Sequence, residues 1–122
     1  MATNLILLGD DLIFASRIAE TARSRGAAVR SVRSVPEAVL AARQAAATCA
    51  IVDLALGGLK IAELVRELRS AAPNIRIVAY GSHVDIVGLR AAREAGCDVV
   101  LPRSQFVESL ATAMPEWLAD RP

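Results

Sequence analysis

The chain has 122 residues, 54% of them hydrophobic, enough to bury one core and too few for two ordinary domains; a single domain over residues 1–122 is expected. Its 14 Lys and Arg against 13 Asp and Glu leave a net charge of +1, so no whole-molecule field selects nucleic acid, an anionic membrane or an acidic substrate. Aromatic residues, at 3%, are too sparse for nucleic-acid stacking platforms, and the arginines of the first third read as a solvated basic face.

The chain opens on an apolar run, predicted as a strand over residues 5–8, that is too short to span a membrane and has no basic flank of a secretory signal. A cytoplasmic protein is the expectation. The run meets Asp10 and Asp11, after which Phe14, Ile18 and Ala22 fall on one face of a predicted helix that stops at Gly26. A weaker strand is predicted over 28–32. Ser34-Val35-Pro36-Glu37 then reads as a capping box opening a second helix.

Residues 49–52 form a third predicted strand ending on Asp53, and Gly57-Gly58 leads into a helix whose Ile61, Leu64, Val65 and Leu68 share a face. Pro73 marks its end. A fourth strand over 75–80, a helix over 82–95, a fifth strand over 98–101 and a helix over 104–118 complete the pattern. Short apolar runs alternating with helical periods predict a doubly wound α/β fold with a five-stranded parallel sheet. Cys49 and Cys97 lie in apolar stretches without metal-ligand or C-x-x-C spacing and read as small buried hydrophobes.

In such a sheet ligands bind beyond the strands' carboxyl ends, where the strand order reverses. That edge carries Asp10 and Asp11, Asp53, Gly81 and Ser82, and Pro102 and Arg103. Neighbouring first and third strands would bring the three carboxylates together. An aspartate at a strand-to-helix junction is also a common N-cap, and for Asp11 alone capping is at least as good a reading. Ser82 reads best as the N-cap of the fourth helix. His83, the sole histidine, lacks a paired base or nucleophile and reads as a helix-start residue.

An acidic pair after the first strand, an aspartate after the third and Ala95-Gly96 before the fifth resemble the landmarks of a bacterial response-regulator receiver domain over nearly the whole chain. Gly81-Ser82-His83-Val84-Asp85, with Leu101-Pro102-Arg103-Ser104, resembles a branch of stand-alone receiver-like proteins. The resemblance implies a flavodoxin-like sheet in the order 2-1-3-4-5. It implies Asp53 as phosphoacceptor and Asp10, Asp11, Asp53 and Ala55 as positions around Mg²⁺. Three adjacent carboxylates repel one another unless a cation intervenes, and a hard ion with oxygen ligands suits them.

Several receiver features are absent. Counting from Ala95-Gly96, the family's strand-five lysine falls on Arg103; aligned on the proline it falls on Leu101. The switch hydroxyl aligns with Gly81, with Ser82 one residue late, and the switch aromatic aligns with Val100. A phosphorylation-independent pseudoreceiver with a vestigial acidic pocket is therefore the alternative. By the resemblance, the upstream partner is a histidine kinase or phosphotransfer protein. The downstream partner is a protein docking on the helix 4, strand 5 and helix 5 face, and the chain is a monomer or weak homodimer. Enzymatic activity is not expected: the first turn lacks G-x-G-x-x-G, and no Ser-His-Asp or Cys-His constellation is identifiable.

Overall fold

The computed structural model describes residues 4–45 and 47–119, so both ends of the expected 1–122 domain lie outside it. Strands and helices alternate along the chain: β1 (Leu5–Leu8), α1 (Leu12–Arg23), β2 (Val29–Val32), α2 (Val35–Gln44), β3 (Cys49–Asp53), α3 (Ile61–Ala71), β4 (Arg76–Gly81), α4 (Ile86–Glu94), β5 (Val99–Pro102) and α5 (Arg103–Leu118). The strands form one parallel sheet in the order β2-β1-β3-β4-β5, as expected. β2 reads weakly in sequence because it is an edge strand, with Arg30 and Ser31 exposed.

Register decides which residues meet at the carboxyl edge. Leu8 pairs with Val52 and Asp53 with Tyr80, while Tyr80 pairs with Leu101 and Gly81 with Pro102. Gly9, Asp53, Tyr80 and Leu101 therefore lie at one level, and Arg103 follows two residues beyond it at the start of α5. Gly9 fits there because a Cβ at this position would stand 3.1 Å from the Cβ of Asp53.

Alternation of side chains splits the core in two. One face, under α2, α3 and α4, is aliphatic and rich in alanine: Ile6, Val52, Leu64, Leu68, Ile77 and Ala92 belong to it. The other, under α1 and α5, holds all four aromatic residues of the chain, Phe14, Tyr80, Phe106 and Trp117. Their rings run in contact from Phe14 to Tyr80 (5.0 Å between centroids), Tyr80 to Phe106 (4.7 Å) and Phe106 to Trp117 (5.5 Å). Such pairs add to the stability that their buried area provides.

The helix starts confirm one expectation and correct another. The Ser34 side chain accepts from the Glu37 N–H at 3.3 Å and its hydroxyl donates to Glu37 at 2.9 Å, a closed capping pair. Ser82, by contrast, does not cap α4. That helix starts four residues later, at Ile86, and its N-cap is Asp85, whose Oδ1 accepts from the Gly88 N–H at 3.0 Å. Ser82 Oγ instead accepts from Val84 N–H at 3.3 Å inside the preceding turn. An Asp with Gly three residues on is the better cap, because the glycine leaves the carboxylate room: a Cβ at position 88 would collide with Asp85 Oδ2.

Candidate functional site

Asp53 is the buried charged residue among the described residues, 2% exposed. Burying a lone carboxylate costs several kcal/mol, so its partners matter. Being the last residue of β3, it turns its Oδ1 back to accept from the Ala55 N–H at 2.9 Å. Its Oδ2 faces the Arg103 guanidinium, 3.8 Å from Nη2. Asp11 repeats the pattern: Oδ1 accepts from the Phe14 N–H at 3.0 Å, capping α1, and Oδ2 lies 3.9 Å from Arg103 Nη1. Capping and a place in the pocket are thus both true of Asp11.

Arg103 is the first residue of α5, directly after Pro102, so its backbone is set by the helix start. Its guanidinium stands over two rings, 5.0 Å from the Phe14 centroid and 5.6 Å from that of Tyr80. Cation–π contact of this kind suits arginine, whose planar head is weakly hydrated and always charged. The two ion pairs differ in weight. Arg103 and Asp11 are 42% and 41% exposed, a geometry worth about 0–1 kcal/mol, whereas the Asp53 side chain is 3% exposed and has no water to fall back on. Tyr80 reports the same field: burial first, then the charge of Asp53 and a hydrogen bond to it, push its phenol far above the usual range, with Arg103 acting in the opposite sense.

The structure distributes the remaining expected site residues unevenly. Asp10 lies exposed at the bend after β1, and Ala55 enters the site through its N–H. Among the described residues no group of three or more His, Cys, Asp or Glu side chains is arranged to hold a metal ion. Of the three carboxylates expected to converge on one hydrated cation, those of Asp11 and Asp53 face the guanidinium of Arg103. The carboxylates of Asp11 and Asp53 are hard oxygen donors of the kind Mg²⁺ takes, and the Arg103 guanidinium stands against both. Ser82, His83, Arg103 and Ser104 line an open cleft of about 480 Å³ beside the pocket.

Three residues escaped sequence reasoning. Phe14 and Tyr80 seat Arg103, and the only signal was Phe14's place three residues after Asp11, on the same side of a helix. Leu54 is the third. A Cβ at Gly81, where the receiver hydroxyl aligns, would stand 3.3 Å from both Leu54 Cβ and Cδ1 and 3.6 Å from Leu89 Cδ2. The space beside Gly81 is filled by apolar atoms.

This topology, with its acidic carboxyl edge, defines the CheY-like class of the flavodoxin-like architecture. No protein-family model matches the chain. Over 98 residues, 80% of its length, it is 32% identical to a response regulator receiver protein of Anaeromyxobacter sp. (strain Fw109-5), of which it covers 41%. Among solved structures it resembles a response regulator protein from Burkholderia pseudomallei with a phosphorylated aspartic acid, calcium ion and citrate (TM-score 0.74, 26% identity, covering 93% of this chain and 69% of that one). It shares its fold with a chain of the co-crystal structure of the Saccharomyces cerevisiae histidine phosphotransfer signaling protein Ypd1 and the receiver domain of its downstream response regulator Ssk1 (TM-score 0.76, 20% identity, covering 95% and 88%). The chain is a receiver domain of the two-component response-regulator type. It spans about two-fifths of the length of the curated relatives it matches. No helix among the described residues is long and apolar enough to cross a membrane.

Proposed function

We propose that this receiver domain is a non-enzymatic signalling module that works by protein–protein contact, with Asp53 as its phosphoryl acceptor position and a muted conformational response to loading. The observation that carries the reading is the placement of Asp53: it ends the central strand at the carboxyl edge and is held by the Ala55 N–H, with Arg103 facing its other oxygen. A guanidinium there suits incoming phosphoryl oxygens, which it pairs in bidentate fashion. The upstream donor would be a phosphohistidine of a kinase or phosphotransfer protein, the class of partner in the Ypd1–Ssk1 co-crystal structure.

Exposed apolar side chains flank this edge: Leu12 and Ile13 at the start of α1, and Val84, Ile86 and Val87 around the start of α4. They support docking by proteins, and the second group supports the face of α4, β5 and α5 as the downstream surface. The muted response follows from energetics. A phosphoryl group shifts a conformational equilibrium only through contacts that differ between the two states. Gly81 has no hydroxyl to offer, and Val100 no aromatic rotamer.

The test is incubation with acetyl phosphate followed by intact-mass measurement. Gain of one phosphoryl group by the wild type and none by Asp53→Asn is the expected result; no gain by either refutes the acceptor role. A second reading, a phosphorylation-independent pseudoreceiver, is favoured by the packing of Leu54 into the space beside Gly81. Under it the partner binds wild type and Asp53→Asn equally, whether or not phosphate is loaded.

A further inference from the structure

We infer that Arg103 is the resident counter-cation of the acidic pocket, standing where a divalent ion would have to bind, so that a metal is admitted only when this guanidinium is withdrawn. The inference rests on the proposed function only in taking Asp53 as the site's central carboxylate. It concerns how that carboxylate is neutralised, whether or not it is ever phosphorylated.

Asp11 and Asp53 each commit Oδ1 to a backbone N–H, from Phe14 and Ala55 respectively. Each turns Oδ2 toward the same arginine, at 3.9 and 3.8 Å. A hard divalent ion needs short bonds of about 2.0–2.1 Å to such oxygens and would take these two first. Seated there it would face a fixed positive charge across the same gap. Arginine cannot relieve that repulsion by losing a proton, as lysine can when desolvated.

Three features keep the guanidinium in place. Its backbone is the start of α5 behind Pro102, and its head lies over Phe14 from α1 and Tyr80 from β4. Those rings belong to the aromatic column that continues through Phe106 to Trp117, so the seat is part of the core. Charge agrees with geometry: one arginine against Asp11 and the buried Asp53 leaves a single negative charge, which the exposed half of Asp11 presents to water. The ion pairs are longer than direct hydrogen bonds, and Arg103 is 42% exposed. Swinging outward into the cleft lined by Ser82, His83 and Ser104 is therefore sterically open to it.

The experiment is direct titration of the purified protein with Mn²⁺, read by water-proton relaxation, and with Mg²⁺, read by calorimetry, without a phosphodonor. Wild type is expected to show no saturable binding below the millimolar range. Arg103→Met keeps the stem over the rings and removes the charge; it should bind at least tenfold more tightly, about 1.4 kcal/mol. Arg103→Met combined with Asp53→Asn should lose that gain. Circular dichroism verifies that each variant is folded, and Arg103→Gln replaces Arg103→Met if the latter is not. Equal binding by wild type and the neutral variant, whether tight or absent in both, overturns the inference. Because no phosphate is involved, failure of Asp53 to accept a phosphoryl group leaves this result unaffected, and the reverse also holds.

Discussion

The two faces of the sheet close the same site by opposite chemistry. Under α1 and α5, a column of aromatic rings ends at the pocket and holds a cation over two carboxylates. Under α2, α3 and α4, aliphatic side chains end at Gly81, where Leu54 and Leu89 fill the volume that a larger residue would need. One face supplies charge and the other removes room. The backbone keeps the order β2-β1-β3-β4-β5 under both.

The strongest way to break the contrast is to cut the aromatic column. Phe106 is fully buried and stacked on both Tyr80 and Trp117, so Phe106→Ala should cost about 3–5 kcal/mol in urea-induced unfolding. A loss below about 1 kcal/mol, the scale of a surface substitution, would mean that the rings are not the framework of that face.

Next in size is the aliphatic side. Gly81→Ser restores a hydroxyl at the receiver position but forces it against Leu54, an overpacking cost of about 1–3 kcal/mol. Combining it with Leu54→Ala should recover part of that cost, and a double-mutant cycle measures the coupling. Strict additivity would show that Leu54 is not the obstacle.

The rim between the faces is tested by the cap of α4. Asp85→Ala should cost about 0.5–2 kcal/mol, whereas Ser82→Ala should stay within about 0.5 kcal/mol. The reverse order, read from denaturation midpoints, would return the cap to Ser82.

The smallest expected effect is a difference in alkaline stability, since each face carries one group whose proton is held more tightly in the fold. Burial, then the charge of Asp98, pushes the Cys97 thiol on the aliphatic face from 9.0 up to about 11. Its neutral form stabilises the fold fully below 9.0, and that contribution is lost as pH rises to about 11. Tyr80 on the aromatic face behaves alike from 10.0 upward, mainly through burial and the neighbouring Asp53. Unfolding free energy should fall over this range, and Cys97→Ala should flatten its first part; an unchanged slope would show that the thiol does not contribute.

What the sequence by itself determined was the scaffold and its chemical edge. Apolar runs at βα spacing dictate strands and helices because periodicity is a local property, and the strand order followed from the receiver landmarks at Asp10, Asp11, Asp53 and Ala95-Gly96. The Ser34 cap was legible for the same reason: its partner is three residues away. The α4 cap was not legible, because Ser82 and Asp85 are both competent caps and only the path of the turn after β4 chooses between them. Arg103 was visible as a residue at the right edge, but its role was not. Its partners Asp11, Phe14, Asp53 and Tyr80 come from α1 and its cap, β3 and β4, which only the sheet register together with the packing of α1 and α5 brings together. Leu54 likewise meets Gly81 only through that register. Charge compensation and volume exclusion are sums over neighbours distant in sequence, so they were settled by the tertiary structure.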